Sequence, residues 1–135
     1  MTPESASPLR DLSALLHALQ PERQPGCQAW CLLAPGSTVP EVALASFREA
    51  EGLSVIVPEA EAVSQGWPVH FRSAWITLRV HSALEAVGLT AAVSTALARA
   101  GIACNVVAGV HHDHLFVPIE QADQALATLQ TLTPT

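Results

Sequence analysis

Between residues 74 and 132 the apolar spacing switches repeatedly between a period of two and a period near 3.6, and this rhythm constrains the fold more than any other feature. Ala74 to Val80 sets Ile76, Leu78 and Val80 against Trp75, Thr77 and Arg79, which is a strand with one buried face. Leu89, Val93, Ala96, Leu97 and Ala100 then share one helical stripe, ending at Gly101, a residue free to take the left-handed turn that closes helices. Ile102 to Val110 reads as a second strand, His111 to Asp113 as a turn and His114 to Ile119 as a third strand. A last helix carries Ala122, Ala125, Leu126, Leu129 and Leu132 on one face.

Strand, helix, strand, strand, helix is most of a ferredoxin-like βαββαβ unit, so the expected fold class is α+β with antiparallel sheets. The first half repeats part of this order. Ser7-Pro8 caps a helix carrying Leu9, Leu12, Leu15, Leu16 and Leu19, which Pro21 stops. Residues 20–28 read as a loop, Cys27 to Ala34 as a short buried strand, and 35–40 as a turn. Within Glu41 to Pro58, Thr38 with Glu41 fits a helix-opening capping box, whereas alternation and the β-branched Val55, Ile56 and Val57 favour a hairpin turning at Glu51-Gly52. A short helix over Glu59 to Ser64 and a break at Gly66 to Pro68 follow. Helix, strand, hairpin, helix is the same order without its opening strand. We therefore expect two related subdomains sharing antiparallel sheets, with residues 1–66 forming a degenerate first half and 67–135 a complete second one.

Composition narrows the function. The net charge is −6, and the six basic residues are arginines (Arg10, Arg23, Arg48, Arg72, Arg79 and Arg99) scattered along the chain. Scattered positive charge makes no footprint for a phosphate backbone, so no nucleic acid partner is expected. With neither lysine nor tyrosine in the sequence, Schiff-base chemistry, a phosphate-loop lysine and a tyrosine acid are excluded. No apolar run reaches the ~20 residues of a membrane span, and Met1 to Arg10 lacks the basic start and apolar middle of a leader, so a cytoplasmic protein off the membrane is expected. Three cysteines, Cys27, Cys31 and Cys104, are an odd number without a disulfide pattern and fit small buried hydrophobes.

The run Val80-His81-Ser82-Ala83-Leu84-Glu85-Ala86-Val87-Gly88-Leu89-Thr90-Ala91-Ala92-Val93, with Gly101 to Gly109 after it, resembles an ACT domain. It is similar to an uncharacterised bacterial ACT-like family. With His112-Asp113-His114-Leu115-Phe116-Val117-Pro118 added, it also resembles the ACT repeats of the animal CASTOR arginine sensors and, more distantly, the regulatory tail of aspartate kinase. The likeness covers residues 74–132. A weaker one over 28–62 rests on Phe47 to Ser54. It implies a regulatory module that binds an amino acid, needs no cofactor and catalyses nothing itself. Carried over, the ligand loop is His81, Ser82, Glu85, Ala86, Val87, Gly88, Leu89 and Thr90, joined by Asn105 and by Asp113 with His114. Glu85 and Asp113 match the carboxylates that face the sensors' cationic ligand, although Glu85 stands one residue out of register, which weakens arginine as the ligand here.

The residues support such a site independently. A ligand carboxylate prefers free backbone N–H groups at a helix start, and its ammonium prefers a carboxylate. Gly88 admits a close backbone approach, while Ser82 and Thr90 offer hydroxyls. A bland alternative stands beside this: Ser82-Ala83-Leu84-Glu85 also fits a capping box that satisfies only its own helix. Asn105, the sole asparagine of the sequence, then merely bonds a neighbouring loop. His111, His112, Asp113 and His114 invite a metal reading, but two ligands two residues apart are a weak signal, so no native metal is expected. Neither Cys31 nor Cys104 carries the local signature of a nucleophile, and no enzyme is expected. Trp30, Trp67 and Trp75 fit a core or dimer surface, and Arg72 and Arg79 fit solvated side chains or ion pairs with the acidic excess rather than ligand clamps.

The leading expectation is a small stand-alone sensor that binds an amino acid or similar polar metabolite. It is expected to pair as a homodimer, since ACT sheets join edge to edge and an open edge promotes association. Its downstream protein partner is not specified by the sequence. A ligand-free interaction module and, less favoured, a metal-dependent hydrolase using the His111 to His114 cluster are the alternatives.

Overall fold

A computed structural model describes residues 11–80, 84 and 87–133. Its elements in chain order are α1 (Leu12–His17), β1 (Pro21–Arg23), β2 (Gln28–Leu33), β3 (Ala45–Glu49), β4 (Gly52–Pro58), α2 (Glu59–Gln65), β5 (Phe71–Leu78), α3 (Leu89–Arg99), β6 (Asn105–Ala108), β7 (Asp113–Pro118) and α4 (Ala122–Gln130), with a 3-10 turn at Ile119–Gln121 before α4. The α+β class and the antiparallel hairpins expected from the spacing are present. The hairpin reading of residues 41–58 holds, with its turn at Ala50 and Glu51.

All the strands join one antiparallel sheet in the order β3-β4-β2-β5-β7-β6, with β1 also pairing β5. β5 takes Gln28 to Trp30 of β2 along its first residues and Pro21 to Arg23 of β1 along its last, on the same edge. β1 and β2 are thus one long strand interrupted at Gln24 to Cys27, where Pro25 withholds an N–H and Gly26 takes φ +85°. The expected loop over 20–28 therefore contains a strand, because pairing with β5 satisfies backbone groups that a Pro-rich sequence alone would not order. Gln24 continues the ladder, its N–H donating to the Trp75 carbonyl at 2.8 Å.

This arrangement makes two interlocked units. The second contains β5, α3, β6, β7 and α4, and β1 supplies the strand it would otherwise lack. The first contains β2, β3, β4 and α2, closed by the start of β5. Its opening strand is present as β2. The missing element is the helix between β2 and β3, because Pro35, Gly36 and Pro40 interrupt residues 34–44. Helix α1, read as the start of the first half, packs Leu15 into the second unit's core, joined by Leu19 just beyond its end.

The helices lie on one face of the sheet. There Ala74, Ile76, Leu78, Leu115 and Val117 meet Leu89, Val93 and Leu97 of α3 and Ala122, Ala125 and Leu129 of α4. A smaller core of Ala29, Cys31, Leu53, Val55 and Val57 is capped by Ala62 of α2 and by Trp67. Arg72 pairs Glu59 and Arg79 pairs Glu22, one of the two states expected for them, and Arg23 also reaches Asp123 at 3.8 Å.

Candidate functional site

Helix α3 begins at Gly88, whose φ of +105° no ordinary side chain adopts readily, and among the described residues no side chain caps the helix there. The first intrahelical bond runs from the Ala92 N–H to the Gly88 carbonyl at 2.8 Å. The preceding amides, of Leu89, Thr90 and Ala91, are the donors an anionic group would meet. A Cβ on Gly88 would stand 3.2 Å from Leu12 Cδ2, so α1 packs against this corner. Leu89 is buried in the core, while Val87 and Thr90 are exposed. His81, Ser82, Glu85 and Ala86 lie outside the described residues.

Strand register sorts the remaining predicted residues by face. Asp113 pairs with Leu78 and Ala108, which places it on the helix-covered face at the end of β5 from which the chain leaves toward α3. His114 and Asn105 lie on the opposite face, Asn105 level with Phe116 and His114 level with Thr77. The expected set is therefore divided: Asp113 shares a side of the sheet with Gly88, Leu89 and Thr90, and Asn105 with His114 does not.

His114 is held in a polar network. The Trp75 indole N–H donates to its Nδ1 at 3.1 Å, and Thr77 Oγ1 lies 3.2 Å from the same atom while accepting from Gln24 Nε2 at 3.1 Å. An Nδ1 that accepts from an indole carries no proton, so the neutral ring keeps its hydrogen on Nε2. Burial, aided by nearby His112 and opposed by Asp113, pulls the His114 pKa below the ordinary histidine value. Among the described residues no three His, Cys, Asp or Glu side chains gather to hold a metal. Burial pushes all three thiols up, Cys104 to about 11, which leaves them poor nucleophiles at neutral pH.

The face without helices holds what the sequence reading did not anticipate. Trp30 and Phe116 meet edge to face at 5.6 Å, Trp75 stacks on Phe116 at 6.5 Å, and Phe71 joins Trp30 at 6.0 Å. The sheet curls around this cluster until its two outer strands, β3 and β6, line the same cavity of about 330 Å³, with Phe47 and Ala45 on one wall and Asn105 and Val107 on the other. Ala45 and Val107 also wall a smaller space of about 110 Å³ that ends at His114. Trp30 and Ser54 wall a third, about 300 Å³, that ends at Glu49, Glu51 and His70. The three form one trough. Its signal in the sequence was the alternation of Trp30, Trp75 and Phe116 with core residues, but the meeting of β3 and β6 is not local and no spacing reveals it.

Family models described as the ACT domain match residues 7–74 and 71–131. The chain belongs to the ACT domain family. Those matches meet in β5, the strand its two ACT units share. ACT domains are regulatory modules, not catalytic ones. Among solved structures, this ACT protein is similar to a Vibrio cholerae protein of unknown function described as a possible transport protein, at 40% identity and TM-score 0.82, covering 91% of this chain and 96% of that one. An Agrobacterium tumefaciens protein shares 18% identity at TM-score 0.66, covering 85% and 89%. The regulatory subunit of aspartate kinase from Thermus flavus shares 10% identity at TM-score 0.58, covering 87% and 97%, a likeness of fold alone. No curated protein matches the chain.

Proposed function

We propose that this protein is an amino-acid-binding ACT regulator without catalytic activity of its own, its ligand seated where β5 turns into α3. One observation carries this reading: α3 opens on a glycine that no described side chain caps, on the same side of the sheet as Asp113. An α-amino acid carries complementary groups, a carboxylate for the first-turn amides of α3 and an ammonium for an acidic partner such as Asp113 or Glu85. His81, Ser82, Ala86, Val87 and Thr90 would border the ligand, and a second copy paired edge to edge would complete the enclosure. The likeness to the aspartate kinase regulatory subunit supports a regulatory role by shape. A cytoplasmic location agrees with the absence, among the described residues, of any helix long and apolar enough to cross a membrane.

Thermal shift of the full chain against the twenty amino acids tests the proposal. Ligand at a hundredfold excess over its dissociation constant stabilises by about 2.7 kcal/mol. One amino acid, or a few related ones, should raise the Tm, and Asp113→Ala and Glu85→Ala should abolish the shift. If none of the twenty moves the Tm, the ligand-free interaction module replaces this reading.

A further inference from the structure

We propose that the acidic end of the concave trough is a binding site for a small organic cation with a flat apolar body. This site lies on the face of the sheet opposite α3 and does not rest on the amino-acid reading. The central chamber, about 330 Å³, is within the range of small-molecule sites, and its lining is mainly apolar: Trp30, Phe47, Ile56 and Val107, with Asn105 and Ser54 as polar points. Phe47 is 73% exposed at the rim, a large aromatic ring left in water where a bound molecule would cover it. The adjoining chamber, of about 300 Å³, presents Glu49 and Glu51 beside Trp30.

Charge decides which end of a ligand goes where. The Ser54 hydroxyl donates to the Glu49 carboxylate and fixes its direction. Among the described residues neither Glu49 nor Glu51 forms an ion pair with an arginine, although Arg72 and Arg79 are both neutralised elsewhere. Two carboxylates in a chamber walled by Trp30 attract an ammonium or guanidinium by their charge, with the indole available for a cation–π contact, and repel an anion. His70 and Cys31 are the other titratable residues lining that chamber, and the Cys31 thiol, its pKa pushed up by burial, carries no charge at neutral pH. An apolar body would then extend from the carboxylates past Trp30 into the cleft between Phe47 and Val107.

Trp30 makes its own reporter. Tryptophan fluorescence of the full chain is titrated at constant ionic strength with phenethylammonium, phenylacetate and ethylammonium. Phenethylammonium should give a saturable change, with an apparent affinity about tenfold or more above either control, because only it carries both the ring and the charge. The double variant Glu49→Gln/Glu51→Gln should weaken it by about tenfold. Asp123→Asn removes a charge from a 97% exposed carboxylate on the helix side and should change nothing, which separates a local site from the overall net charge. The proposal is overturned if phenethylammonium fails to saturate by about 10 mM, if phenylacetate binds as well, or if the double variant, shown folded by its melting curve, binds as the parent does.

Discussion

Where the second ACT unit lays α3 across its strands and buries Leu89, Val93 and Leu97, the first passes from β2 to β3 through residues 34–44 and leaves Val39, Val42 and Leu44 exposed. The difference leaves a cavity of about 740 Å³ between that connection and α2, with Leu33, Val42, Glu61 and Trp67 in its walls. Both units nevertheless keep the same strand order. Loss of a covering helix is tolerated because the first unit's small core is closed by Ala62 and Trp67, and because the sheet itself is held by β5 and its neighbours. Strand pairing defines an ACT unit here, and helical covering is the variable part.

The largest test of this contrast is truncation. Leu97→Ala, at a fully buried position in α3, should cost about 3 kcal/mol, whereas Val42→Ala in the corresponding connection should cost under about 0.5 kcal/mol. Urea denaturation of both variants measures the difference. Equal losses would mean that residues 34–44 pack as firmly as a helix.

The two hairpins supply a second contrast. In β3–β4, Gly52 has φ +153° and an added Cβ would stand 2.2 Å from the Leu33 carbonyl oxygen; in β6–β7, Gly109 lacks a positive φ and its Cβ would stand 3.0 Å from the His112 oxygen. Gly52→Ala should therefore destabilise by about 2 kcal/mol or more, and Gly109→Ala by about 1 kcal/mol or less. The same denaturation experiment ranks them, and a reversed order would refute the close approach of the first hairpin to β2.

Much of this contrast was legible in the residues. The second unit was readable because each of its elements has a complete apolar period, from Ile76 and Leu78 in β5 through Leu89, Val93 and Leu97 in α3 to Ala125 and Leu129 in α4. The first unit was harder because its prolines and glycines erase local preference: β1 exists only by pairing with a strand more than fifty residues away. The site was legible in parts. Gly88 stood out by its backbone freedom and Asp113 by its place in the hairpin, but the pleat sends His114 and Asn105 to the other face, and only the register shows it. The trough was invisible for the same reason, since it forms where opposite margins of a curled sheet come together.

Acidity acting at His114 of the second unit provides the smallest expected effect. The pKa of His114 is lower folded than unfolded, so the unfolded chain binds the extra proton. This contribution to stability is intact above the unfolded value, near pH 6.5, and declines as pH falls toward the folded value. Tm measured from pH 7.5 to 5 should drop, and His114→Gln should flatten part of that slope. An unchanged slope in the variant would assign the drop to other groups.

Because β5 completes one repeat with Phe71 to Ser73 and founds the other with Trp75 to Leu78, the molecule has no seam along which it can be divided. Splitting the gene at this strand would leave each fragment with a raw flank, and a spacer inserted there would pull both repeats out of register at once. Two ACT units are in this way built around one common rod.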